Sequence, residues 1–222
     1  MPEKTKRSST INWRYILTEL VLLVVGILLA INLNTWASNR KIKNQTKLSV
    51  DQIREEIKLN IDELTEVIDA NRPASEFYSE ISTLSANVVN VIRCSPEKMT
   101  TLKKIYGDQF AIVDSVSKAG GAYEYELDID YALEYGELND IAWRTAQLST
   151  NMNEYGYDCL KSILSVYGFQ ELYINVQNKF LDYKILRDKE EFIATFQLNH
   201  RMGNDLLERY LVLAEEIEEC GL

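Results

Sequence analysis

The sequence predicts an all-α protein in which an N-terminal transmembrane helix continues into a long stalk helix, followed by an antiparallel helical bundle. Three observations carry that expectation. Only three prolines and nine glycines interrupt 222 residues, and helix-favouring Leu, Ile, Glu, Lys and Ala are plentiful. The run from Tyr15 to Trp36 is apolar almost throughout. Beyond it, apolar residues recur every three or four positions, the period of a helix that buries one face.

Charge divides the chain at nearly the same place. Residues 1–50 carry eight Lys/Arg against Glu3 and Glu19, a balance of +6, whereas residues 51–222 carry sixteen against 32 acids, a balance of −16. An acidic surface repels phosphate backbones, so no nucleic-acid partner is expected for the domain. The length remaining after an anchor suits one domain rather than two.

Residues 1–14 read as a short basic tail and 15–36 as the membrane helix. Leu20–Ile31 is wholly apolar apart from Gly26, and about 20 helical residues cross a hydrocarbon core of roughly 30 Å. Trp13, Tyr15 and Trp36 bracket the span as interfacial anchors, which makes the lipid bilayer the first expected partner. A cleaved signal peptide would have a shorter apolar region and a small-residue cleavage site. A buried core helix of this hydrophobicity would need protein all round it.

Glu19, Gly26 and Ala30 fall within about 40° of one another on a helical wheel. Small residues four apart let two membrane helices approach, and a carboxylate on the same stripe can bond across, so self-association is expected. The other reading has Glu19 reaching the headgroups and Gly26 incidental. Basic residues flank the span almost equally. The free amino terminus favours a cytoplasmic N-terminus, hence an uncleaved signal anchor in the cell membrane with the C-terminal domain periplasmic or otherwise extracytoplasmic.

Residues 37–70 read as the stalk, with Val50, Ile53, Ile57, Ile61, Leu64 and Ile68 in a nearly heptad stripe of coiled-coil character. Asn71-Arg72-Pro73 reads as its stop, and 71–222 as an acidic helical bundle packing with it. Pro73 suits the first turn of a returning antiparallel helix carrying Phe77, Ile81, Leu84, Val88 and Val91. Ser95 followed by Pro96 marks another helix start, leading to Leu102, Ile105 and Tyr106, with Gly107 as its end. Residues 108–122, with Gly120-Gly121, read as a connector, and the aromatics and acids of 123–138 as a solvated helix start. Three helices over 139–154, 156–187 and 189–219 complete the pattern.

No phosphate loop, dinucleotide fingerprint, nucleophile elbow or zinc-protease motif occurs, and no catalytic residue, cofactor or metal site is expected. His200 stands alone on a helix without a metal-binding companion. Asp128 and Asp130 lack the alternating ligands and turn glycine of a calcium loop. Cys94, Cys159 and Cys220 are too scattered for zinc and read as free thiols, with one disulfide left open for an extracytoplasmic domain.

The segment from Asp140 to Gln147 places Trp143, Arg144 and Gln147 on a short helix, where Arg144 and Gln147 can share a partner. It is the candidate partner patch. The alternative has Trp143 filling the core while Arg144 pairs with an acid.

Glu19, Gly26-Ile27, Ala30-Ile31-Asn32 and Asn34-x-Trp36 resemble the anchor of an uncharacterised family of bacterial single-pass membrane proteins, a domain of unknown function. Ala132-Leu-x-x-Gly136-x-Leu138-x-x-Ile141 and Ala142-Trp-Arg-Thr-Ala-Gln147 resemble its C-terminal domain more weakly, with Tyr167 and Gln170 as further matching positions. The resemblance covers about a third of the chain and implies an anchor followed by a helical domain, with no activity attached.

The function expected is that of a membrane-anchored helical structural or interaction protein, with a second copy or another envelope protein as partner. An accessory ligand-sensing module is the alternative, since bundles bind ligands between their helices. An enzyme would have to use acids such as Glu124, Glu126, Asp128 or Asp130 in a shared pocket.

Overall fold

The computed structural model describes residues 13–88, 90–130, 133–149, 152–186 and 189–220. The tail expected over 1–14 therefore lies almost wholly outside the described residues, as do the side chain of Tyr15 and residue Ala132.

One helix, α1, runs unbroken from Trp13 to Leu84, 72 residues, or roughly 110 Å at 1.5 Å per residue. The stop expected at Asn71-Arg72-Pro73, with an antiparallel return after it, is not there. Pro73 removes one N–H from the ladder, but its ring is exposed, and Ala74, Phe77, Tyr78 and Ile81 beyond it are buried. The buried positions 50, 53, 57, 60, 64, 67, 71, 74, 78 and 81 keep one spacing of three and four through the proline. A continuous packing face outweighs a single missing hydrogen bond.

The protein is mostly helical but not all-α. After α1 come β1 (Ser85–Val88), β2 (Val91–Cys94), α2 (Pro96–Tyr106), β3 (Phe110–Ser117) and β4 (Tyr123–Ile129). The strands form one antiparallel sheet in the order β1-β2-β4-β3. Alternation explains β4: Tyr125, Leu127 and Ile129 are buried while Glu126 and Asp128 face water, the period of a strand with one covered face. Gly120 and Gly121 turn the β3–β4 hairpin at φ 81° and 77°, a region nearly closed to other residues. In α2, Ser95 caps the helix by accepting from the Lys98 N–H, with Pro96 in the first turn and Gly107 at the end.

The helix expected over 139–154 is shorter: α3 spans Ile141–Ser149, followed by a 3₁₀ turn at Met152–Tyr155. The last two helices fall where periodicity puts them, α4 at Tyr157–Leu186 and α5 at Lys189–Glu216. They form an antiparallel hairpin against α1. Gly203 admits the close approach, since a Cβ there would lie 3.4 Å from Tyr173 and 3.6 Å from Ile68.

Two cores result. Away from the apolar end of α1, Phe77 stacks on Phe110 at 5.1 Å, and Tyr78 meets Phe196 edge-on at 5.3 Å, with Phe180 and Phe192 beside them. Nearer that end, Val50, Ile53, Ile57 and Leu64 pack against Leu206, Tyr210, Leu213 and Ile217. The expectation of free thiols is corrected for two of the three. Cys159 and Cys220 form a disulfide across a separation of 61 residues, tying the start of α4 to the 3₁₀ turn just beyond α5. Cys94 is free and buried, and burial pushes its thiol pKa up.

Candidate functional site

Between β4 and α3 the chain has no regular structure over residues 133–140, so its backbone groups need partners from elsewhere. They find them on α1. Asn71 donates to the Glu134 carbonyl at 2.8 Å and accepts from the Glu134 N–H at 3.0 Å. Eleven residues down the same face, Asn60 does the same for Asn139, at 2.8 Å in both directions. Glu63 accepts from the Glu137 N–H at 3.1 Å. On the other side, Gln177 donates to the Gly136 carbonyl and Gln170 to the Asn139 carbonyl, both at 3.1 Å. These side chains hold the segment as a strap between α1 and α4.

The strap ends in a carboxylate. Glu56, only 7% exposed, accepts from the N–H groups of Ala142 at 2.7 Å and Trp143 at 3.4 Å in the first turn of α3, and from the Tyr167 hydroxyl at 2.7 Å. The free N–H groups and dipole at a helix N-terminus favour a negative charge. Tyr210 donates to Gln170 at 2.8 Å and accepts from Asn60 at 3.3 Å. Burial, and then the Glu56 carboxylate, drive the Tyr167 hydroxyl far above its ordinary pKa. Tyr210 is also pushed up, mainly by burial. Every polar group of this clasp thus stays a neutral donor or a hydrogen-bonded acceptor, which is what buried polar groups require.

The clasp positions the candidate patch. Trp143 is 5% exposed and stacks on Tyr167 at 5.8 Å. Arg144 pairs with Asp140 at 2.6 Å, and Gln147 is exposed. Arg144 and Gln147 share no partner side chain among the described residues. All three line one groove of about 390 Å³ between α3 and α4, with Gly168 and Glu171 on its other wall. Tyr167 and Gln170, singled out by the resemblance, join them there.

The remaining sequence candidates lie apart. Glu19, Gly26 and Ala30 share the exposed apolar stretch of α1, and nothing stands within 4 Å of a Cβ built on Gly26. Trp13 and Trp36 are exposed, and the Arg40 guanidinium lies 5.5 Å from the Trp36 ring centre. Glu124, Glu126 and Asp128 point outward along β4 rather than into a pocket. Hydrogen bonds from Arg93 and Lys118 hold the Glu124 carboxyl below its usual range. His200 is half-buried beside Phe196, and burial, with Arg72 nearby, lowers its pKa. Among the described residues no group of three or more His, Cys, Asp or Glu could hold a metal ion.

Glu56 and Asn60 were not singled out from the sequence, and Asn71 only as part of a helix stop. A signal was there: Asn60 and Asn71 occupy positions of the three-four stripe where apolar residues belong. A polar residue in a core register is a request for a buried partner.

Fold and clasp together define a class: a mostly helical domain with a small sheet, built on one helix whose first part is long and apolar enough to cross a membrane. Comparisons with protein-family models, with curated proteins and with solved structures found no match.

Proposed function

We propose that this protein is a membrane-anchored helical spacer and interaction protein: it holds an acidic domain at a set height above the bilayer and presents it to a second copy or to an envelope partner. The observation that carries this reading is the double role of α1. Its first part is apolar with none of its most hydrophobic window buried, as a lipid-facing span requires. Its second part is the spine of both cores. No flexible joint separates the two, so the position of the domain is coupled to that of the anchor.

The disulfide between Cys159 and Cys220 supports an extracytoplasmic domain, because such bonds persist in oxidising compartments. The test places single reporter cysteines at Thr5 and Ala119 in a Cys94→Ser background with the disulfide intact, and labels intact cells with an impermeant thiol reagent. Labelling at 119 alone is expected. Labelling at 5 alone would reverse the topology, and recovery of the protein outside the membrane fraction would overturn the anchor.

The groove beside Trp143 favours ligand sensing as the second reading, since its volume of about 390 Å³ suits a small molecule. A ligand acting there would raise the melting temperature of the wild type but not of a Gly168→Trp variant.

A further inference from the structure

We infer that two copies of this chain pair side by side through the outward face of the α4–α5 hairpin, an inference that rests on the proposed anchor. Three observations meet on that face. It carries an open groove of about 480 Å³ between the two helices. Its exposed residues form one stripe on each helix: Lys161, Ser165, Gly168 and Leu172 on α4, and Asp205, Arg209, Val212 and Glu216 on α5. Only Leu172 and Val212 are large and apolar, so charge rather than an apolar seam is what these stripes offer a partner. Its charged members Lys161, Asp205, Arg209 and Glu216 make no ion pair among the described residues.

Membrane anchoring decides how a second copy can sit. Two copies inserted in the same orientation are related by rotation about the membrane normal, so only residues at the same height meet across the interface. Height along the hairpin is fixed by the Cys159–Cys220 disulfide and by Arg209, whose guanidinium lies 4.4 Å from the centre of the Phe169 ring. With those pairs level, Lys161 lies within about 3 Å of the height of Glu216, and Val212 falls between the heights of Ser165 and Gly168. The α4 lip of the groove offers Lys161, Ser162 and Ser165, and the α5 lip is net acidic with Asp205, Glu208 and Glu216 against Arg209. Turning a second copy to face the first sets each α4 lip against the other copy's α5 lip. Lys161 then meets Glu216 of the second copy, and Val212, 51% exposed, enters the notch left by Ser165 and Gly168, where a Cβ on Gly168 would meet nothing within 4 Å. Opposite lips of opposite sign favour a second copy over a uniformly basic or acidic partner.

The test measures self-association of the full chain in nanodiscs and mild detergent by native mass spectrometry, for wild type, K161E, E216K, the double variant and G26L. Each pair forms twice in a two-fold dimer, so each single reversal is expected to weaken association by roughly fivefold or more, with the double variant restoring it. Single reversals without effect, or a double variant as weak as either single, would overturn the interface. A dimer lost in G26L but indifferent to the reversals would assign pairing to the membrane helices alone. A wild type that is monomeric throughout also overturns the interface, and recovery of all variants in the membrane fraction shows that the anchor stands regardless.

Discussion

Around Phe77, α1 is gripped by rings: Phe110 stacked on it, Tyr106 and Tyr78 tilted against it and, through Tyr78, Phe196 edge-on. Around Asn60, some 25 Å along the same helix, the grip is polar: Glu56, Asn60, Gln170, Tyr167 and Tyr210 close one hydrogen-bonded network on the strap and on α3. Aromatic packing is strong but permissive, because shape and volume are its only demands. The polar network stabilises less per contact and tolerates only one register, since a slip of one residue would leave a buried carboxylate and two carboxamides unpaired. One part of the spine supplies stability and the other fixes where the strap and the groove must lie.

The contrast can be broken first at its stronger end. Phe77→Ala should cost about 4 kcal/mol in urea unfolding, and Phe77→Leu much less, because a permissive core refills. A Leu variant as damaging as Ala would contradict that permissiveness. Next, Glu56→Gln should cost about 2 kcal/mol, because an amide cannot accept from both α3 N–H groups and the Tyr167 hydroxyl at once. Its distinguishing sign is local. Hydrogen exchange should quicken at Ala142 and Trp143 while the sheet stays protected, and uniform loss of protection would mean the clasp has no local role.

The buried tyrosines sharpen the comparison at high pH. Burial pushes Tyr173 up to about 12, so between pH 10 and 12 the unfolded chain has released a proton that the folded chain retains. Stability contributed by Tyr173 is therefore present below pH 10 and lost as pH rises towards 12, at about 1.4 kcal/mol per pH unit. Tyr173→Phe should flatten that decline, and an unchanged slope would count against the assignment. The smallest effect belongs to His200, whose lowered pKa means that stability is present above its unfolded value and falls as pH drops below about 6.5. His200→Gln should remove that slope, which is worth only a few tenths of a kcal/mol at a half-buried site.

The two parts of the spine also differed in how far the residues disclosed them. The apolar anchor, the stalk stripe, α4 and α5 are repetitive, and period alone places them. The sheet is not: Tyr123-Glu-Tyr125-Glu-Leu127-Asp-Ile129 alternates in twos, but its acids and aromatics suit the start of a solvated helix as well. Pro73 misled in the opposite sense, since a local breaker is overruled when the residues on either side keep one packing face. Trp143 was legible as the centre of its segment. Glu56 and Asn60 were not, because their partners lie far along the chain and only folding brings strap and stalk together.

A rigid, unbroken α1 is the claim on which the spacer reading depends. Nitroxide labels on S38C and S82C, in a Cys94→Ser background reconstituted in nanodiscs, bracket both the largely exposed stretch of α1 over residues 39–45 and Pro73. The account predicts a single narrow distance near 66 Å, as 44 residues of continuous helix require. A broad distribution, or a maximum well short of that length, would mean that the helix bends between bilayer and domain and would contradict the account.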